Sequence, residues 1–222
     1  MGVNQQSDVN AGDRRTQIRR LAAEMFFERG YEATTMRELA AAIDIKTASL
    51  YYFFPNKEQI LFDLIESVVK QLVLGARHLV DNERTHEQRL ASLVVNHVVL
   101  HAMRPKESTL GDSELRSLTQ KHLRANVRHR DEYERLVVEV LEGGAADSTF
   151  SLIDTKLTAY AIIAHSSHVG TWYRPGGRLT VGAVAEAYVD LALRMVDAES
   201  LPTEDVQRLV EDAESFHAAL KE

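Results

Sequence analysis

Apolar residues recur three and four positions apart along most of the chain, and no stretch alternates with the period of two that a strand requires. The pattern reads as helix almost throughout. Between Asp13 and Arg29, the residues Ile18, Leu21, Ala22, Met25 and Phe26 share one face. Gly30 then supplies the left-handed residue that ends a helix, with Tyr31 folding back over the last turn. A second helix opens at Thr35, where Glu38 three residues on completes a capping box, and runs through Leu39, Ala40 and Ala42 to Ile43. After a break at Asp44-Ile45 the pattern predicts a short helix over Thr47–Phe53, a stop at Pro55, and a long helix from Asn56 to about Val80.

Two short helices joined by a tight turn form a helix-turn-helix, and the turn needs positive φ at one residue. Asp44 stands there, and aspartate tolerates that conformation better than most residues with a side chain. Further helices are expected at about 85–103, 107–119, 121–142, 151–173, 180–197 and 203–220. Arg104-Pro105, Gly143-Gly144, Pro175-Gly176-Gly177 and Pro202 mark the joins. The expected class is all-α, with a disordered arm over 1–12, a three-helix helix-turn-helix domain over 13–56 and a larger helical domain over 57–222. Small residues crowd two of the later helices, Ala159, Ala161, Ala164, Ser166 and Ser167 in one and Gly182, Ala183, Ala185, Ala187 and Ala192 in the other. They suit close helix packing, within one chain or between two.

Composition narrows the classes. The chain has no cysteine, which excludes disulfides and thiolate metal sites. The opening MGVNQQSDVNAGD carries no basic-then-apolar pattern and no apolar run is long enough to span a bilayer, so a cytoplasmic protein without a membrane partner is expected. The net charge of −7 is unevenly spread: residues 1–57 hold 8 Lys/Arg against 7 Asp/Glu, the remainder 18 against 26. A near-neutral head on an acidic body permits DNA without pointing to it.

No nucleophile elbow, phosphate-binding loop, zinc-protease motif or dinucleotide fingerprint occurs, so no catalytic residue is assigned and an enzyme is not expected. His97 and His101 stand four apart and His165 and His168 three apart on apolar helices. Without a cysteine or matched carboxylate set they read as hydrogen-bonded or cavity-lining histidines, with no metal and no cofactor. Lys121, Arg124, Arg128, Arg130 and Arg135 are interleaved with acids and form either a solvated face or an anion site. Trp172 and Tyr173 either anchor the end of a bundle or line a pocket mouth.

The residues from about Arg14 to Leu61 carry, in order, "FFERGYEATT", "MRELA", the turn, "SLYYFF" and "PNKEQIL". In that combination the head resembles the TetR family of bacterial transcriptional repressors. "TWYRPGGRLT" and the helix after it resemble the ligand-binding domains of members that control fatty-acid or sterol breakdown. Three positions depart from the family pattern: Asp44 replaces a common Gly, Lys46 a Ser or Thr, and Phe53 a His or Tyr. Lys46 offers no oxygen to cap the third helix, so Thr47 is expected to take over.

The resemblance implies a dimeric repressor on palindromic operator DNA, with 57–222 serving ligand binding and dimerisation. An effector would alter the spacing of the two heads. On the third helix Leu50, Phe53 and Phe54 then point inward, while Tyr51 and Tyr52 are either half-buried core or phosphate contacts. Lys57 adds a cation and a helix N-terminus on one side, Thr34 and Thr35 on the other. Lys46, Thr47, Ala48 and Ser49 are placed to read base edges. For the effector, "NHVVLHAM" offers Asn96, His97, Leu100, His101 and Met103, and "HSSHVGTWY" offers His165, His168, Trp172 and Tyr173. That mixture suits an acyl or polycyclic molecule with a polar end; if that end is coenzyme A, Arg128, Arg174 or Arg178 would meet its phosphates. The competing reading is a helical small-molecule-binding protein or enzyme whose helix-turn-helix is only packing.

Overall fold

The computed structural model describes residues 4–220, with side chains from Arg14 onward, and all regular structure among them is helical. The order is α1 (Asn4–Arg29), α2 (Met36–Ala42), α3 (Thr47–Phe53), α4 (Lys57–Asp81), α5 (His86–Met103), α6 (Pro105–Ser113), α7 (Gln120–Ala146), α8 (Thr155–Ser167), α9 (Val169–Trp172), α10 (Val181–Met195) and α11 (Thr203–Ala219). A single 3-10 turn, Leu115–Ser117, links α6 to α7. The first helix starts at Asn4, ahead of the Asp13 start the apolar stripe suggests. No proline interrupts this stretch, and an existing helix extends by one bond per residue without a new nucleus, Gly12 notwithstanding. Residues 1–3 of the expected arm lie outside the described residues.

Local chemistry sets most boundaries. Thr35 and Glu38 close a reciprocal capping box on α2, and Thr85 with Gln88 does the same on α5. Asn56 caps α4 by accepting from the Gln59 N–H at 2.8 Å. Asp44 holds φ +57 in the turn between α2 and α3, the left-handed value that turn demands. The cap of α3 departs from expectation. Lys46 is its N-cap with no side-chain bond, and Thr47 lies one residue inside, where its hydroxyl does not take over.

The Gly143-Gly144 pair does not end α7, which continues to Ala146. A Cβ at Gly144 would sit 2.2 Å from the Phe150 ring, so this glycine serves a close approach and not a break.

Two cores meet along α4. The head core gathers Ile18, Ala22 and Phe26 of α1, Leu39 of α2, Leu50 and Phe54, and Ile60, Leu61, Leu64 and Ile65 of α4, with Leu110 of α6 joining it. The body core surrounds α5, whose residues Leu90 to Ala102 are all buried; a helix apolar on every side belongs at the centre of a bundle. Helices α4, α7, α8, α10 and α11 pack around it. Among the described residues no helix is long and apolar enough to cross a membrane.

Candidate nucleic-acid interface and effector cavity

The short helix α3 is pinned from below and open above. Leu50 and Phe54 are fully buried, and Phe53 is half-buried with its ring edge-on to Tyr52 at 5.4 Å. Lys46, Ala48 and Ser49 are exposed and Thr47 partly so. Tyr52 is 84% exposed and so is not part of a half-buried core, whereas Tyr51 is 50% exposed, half-buried with its other half open to solvent. Thr35 is exposed beside them, its hydroxyl 2.6 Å from Glu38 Oε2; that bond holds the Glu38 carboxyl below its usual range.

Two expected contacts turn inward instead. Thr34 is 1% exposed, and its hydroxyl donates to the carbonyl of Gly30 at 3.0 Å. With positive φ at Gly30, the chain folds back there and draws Thr34 under the turn. Lys57 Nζ donates to the Tyr31 carbonyl at 2.7 Å and lies 4.2 Å from the centre of the Tyr31 ring. Its charge closes the α1–α2 loop onto α4 before it meets any ligand. Arg15 is a clamp: it donates to the Phe53 carbonyl at 3.2 Å, pairs with Asp63, and covers the Phe54 ring at 4.3 Å. The sequence carried no signal for these roles, because each partner is distant along the chain. Arg37, exposed on α2, is a further cation on this head that the sequence reading did not single out.

In the body, a cavity of about 140 Å³ opens between α4, α5, α6, α7 and α8. Ile65, Val68, Val69, Leu72 and Ile163 give it apolar walls, and its polar lining includes His97, His101, Glu107, Asp112, Arg130 and Glu134. His97 is held at both ring nitrogens, Nδ1 3.1 Å from the Tyr133 hydroxyl and Nε2 3.1 Å from Ser167 Oγ. Its pKa falls well below the ordinary value because it is buried, with His101 and Arg130 adding to the effect. Burial raises the pKa of Tyr133 and also that of Asp112, where Arg130 pulls the other way. Arg130 donates to the Gly111 carbonyl at 2.7 Å and to Asn126 at 2.9 Å.

Of the sequence-assigned effector residues only His97 and His101 line this cavity. Asn96 is turned to the far side, where it donates to the Leu72 carbonyl at 2.9 Å and accepts from His217 Nε2 at 2.8 Å. Leu100 is core, and Met103 and Arg128 are exposed. His165 stacks on Tyr188 at 3.9 Å, and His168 is exposed at the end of α8. Trp172, Tyr173, Arg174 and Arg178 line a separate hollow. The reason is rotational: four residues at a helical spacing mark one stripe, but α5 is buried on all sides, so only packing decides which stripe meets the void. Arg130, in the stretch that reads as either a solvated face or an anion site, lines the cavity as well, and the contribution of α4 and α6 has no counterpart in the sequence reading.

Head and cavity share elements. Helix α4 lines the cavity through Ile65–Leu72 and enters the head core through Ile60–Ile65. Helix α6 lines it through Ser108 and Asp112, while Leu110 joins the head core and Lys106 reaches Glu24 of α1 at 3.7 Å. At the first turn of α4, Glu58 accepts from the Thr119 N–H and pairs with His122 Nδ1, both at 2.8 Å, tying α7 to the head.

Comparison with known proteins agrees with both halves. Residues 18–64 match the family described as "Bacterial regulatory proteins, tetR family", and residues 83–196 match "Tetracyclin repressor-like, C-terminal domain". The chain is 33% identical over 189 residues to the HTH-type transcriptional repressor KstR2 of Rhodococcus jostii, covering 81% of this chain and 89% of that one. Among solved structures it is similar to a tetR-family regulatory protein from Rhodococcus RHA1, with a TM-score of 0.78 at 29% identity over 82% of this chain and 96% of the other. It is also similar to the ketosteroid transcriptional regulator KstR2 of Mycobacterium tuberculosis, with a TM-score of 0.76 at 28% identity over 82% and 93%.

Proposed function

Because the chain belongs to the TetR family of bacterial regulatory proteins, we propose that it is a ligand-responsive transcriptional repressor which binds palindromic operator DNA as a homodimer and is released by a small hydrophobic effector. The observation that carries this reading is α3, a helix pinned by Leu50 and Phe54 whose opposite face offers Lys46, Ala48, Ser49, Tyr51 and Tyr52. Residues at its N-terminal end enter the major groove and read base edges, while the tyrosine hydroxyls and Thr35 contact phosphates. Lys57 acts here by fixing the loop that positions α2 and α3.

The dimer is supported by α8 and α10, which leave Leu157, Tyr160, Leu191 and Met195 between 43% and 63% exposed, with Ala161 and Ala164 exposed among them. Large apolar side chains gathered on one exposed face mark an interaction surface. Paired with their twofold mates, these helices would set the two α3 helices one DNA turn apart, ~34–36 Å.

The effector occupies the cavity between α4, α5, α6, α7 and α8. The acyl-CoA form of this reading seats an acyl group among Val68, Val69 and Ile163 and leaves the nucleotide outside, where the Arg174 and Arg178 hollow offers cations. A filled cavity pushes α4 and α6 apart, and both run directly into the head core. The proposed outcome is a change in head spacing away from that of successive major grooves.

The test is DNA binding by fluorescence anisotropy, with the region upstream of the gene as probe and salt as the variable. Affinity is expected to fall linearly on logarithmic axes as phosphate contacts release counterions. A Lys46→Ala/Tyr51→Phe/Tyr52→Phe variant that binds as tightly as the parent overturns the assignment.

A further inference from the structure

One ring nitrogen on the cavity wall, Nε2 of His101, lacks a protein partner. His101 is 5% exposed, and its Nδ1 lies 3.0 Å from the carbonyl oxygen of His97 one turn earlier. A carbonyl oxygen only accepts, so Nδ1 carries the ring proton and Nε2 is left with a lone pair. Burial lowers the pKa of this imidazole to about 4, against the opposing pull of that backbone bond, so the ring is neutral near pH 7. No described residue donates to Nε2. Buried polar groups are otherwise nearly always satisfied, and an acceptor beside a void is satisfied by what fills the void.

The rest of the lining argues which ligand group that is. Three carboxylates line it: Glu107 is paired with Arg104 at 3.2 Å and Asp112 with Arg130 at 3.6 Å, Glu134 adds a third negative charge, and Arg130 already donates to Gly111 and Asn126. Such a wall repels a carboxylate or phosphate drawn into the cavity. A keto oxygen presents no proton to Nε2 and would leave it bare. We propose that the effector carries a hydroxyl group inside the cavity, which donates to His101 Nε2. His101 is thus the residue that separates an alcohol from its ketone, a discrimination that apolar walls cannot supply. The inference rests on the cavity being the effector site.

The cavity is close in size to one of about 150 Å³ known to admit a single six-membered ring. Cyclohexanol, cyclohexanone and cyclohexane are therefore the probes, titrated into the full-length protein and followed by NMR on the methyl groups of Val69 and Ile163 and on His101 Nε2. Cyclohexanol is expected to bind about tenfold more tightly than cyclohexanone, the size of one hydrogen bond to a buried acceptor, and to move the Nε2 resonance. His101→Phe is expected to bring the two within about twofold while cyclohexane binding persists. Equal binding of alcohol and ketone to the parent protein, or a preference that survives His101→Phe, overturns the hydroxyl assignment and leaves the cavity as effector site. If none of the three moves the Val69 and Ile163 methyls, the cavity assignment and this inference fall together. The alcohol–ketone comparison on the parent protein needs no variant, so a misfolded His101→Phe does not rescue the idea.

Discussion

Single side chains in the head divide into those that build it and those it leaves outward, and Lys57 and Tyr51 stand on opposite sides. Lys57 closes the loop at Tyr31 and Glu32, so Lys57→Ala removes two carbonyl contacts and a cation–π contact at once. The expected result is a loss of about 1–2 kcal/mol of stability, read as a lower midpoint in urea unfolding. An unchanged midpoint would return Lys57 to a purely DNA-facing role. Tyr51→Phe deletes only an outward hydroxyl, and is expected to weaken DNA binding several-fold on any sequence while leaving the urea midpoint in place. A midpoint that shifts with Tyr51→Phe would place that hydroxyl in the fold instead. This division was half legible beforehand. The inward set Leu50, Phe53 and Phe54 follows from helical spacing, and Asp44 at positive φ follows from turn chemistry. Thr34, Lys57 and Arg15 were not legible, because a side chain's partner across the loop depends on a fold-back that no local pattern encodes.

At the level of the helices, the order and most boundaries were written in caps and breakers, and the exceptions have a common cause. Glycine was read as punctuation at Gly143-Gly144, yet α7 runs on because Phe150 occupies the space a Cβ would need. Gly144→Ala gains up to about 1 kcal/mol of helix propensity and forces the Phe150 ring out of its place, a cost of about 1–3 kcal/mol. The net expectation is destabilisation, read by calorimetry, and a raised melting temperature would show that the ring has room to move. Small residues on α8 and α10 likewise serve two purposes. Ala159, Ala185 and Ala192 are buried within the chain, whereas Ala161, Ala164 and Ala187 face outward. Only the outward set reports on dimerisation. Ala164→Arg is expected to give monomers in sedimentation at micromolar concentration and to abolish binding to a two-half-site probe. A dimer that survives Ala164→Arg moves the interface elsewhere.

The whole molecule stores three neutral histidines in its body core, and that ties its stability to pH. His101 and His217 are each lowered to about 4 by burial, and burial also holds His97 well below its ordinary value. The charged and titratable neighbours are Arg130 and His97 for His101, and Arg104 for His217, which also donates from Nε2 to Asn96 at 2.8 Å. In the unfolded chain each would titrate near the ordinary value of about 6.5. Above that pH both states are neutral and folding loses nothing. As pH falls from about 6.5 towards 4, the unfolded chain binds protons that the folded core refuses, so stability drops. For His101 and for His217 the loss approaches about 3 kcal/mol each, reached only near the lower limit. Asp112 works in the opposite sense, since a raised carboxyl takes up its proton first in the folded state and returns some stability at the acid end. The expected melting temperature is therefore level from pH 8 to about 7 and falls steadily below about 6.5. His217→Gln keeps a donor for Asn96 but cannot gain a charge, so its decline should be visibly shallower than the parent's. Parallel curves for the two proteins would mean that His217 is already protonated in the fold, and that the burial that makes the core neutral is looser than its packing implies.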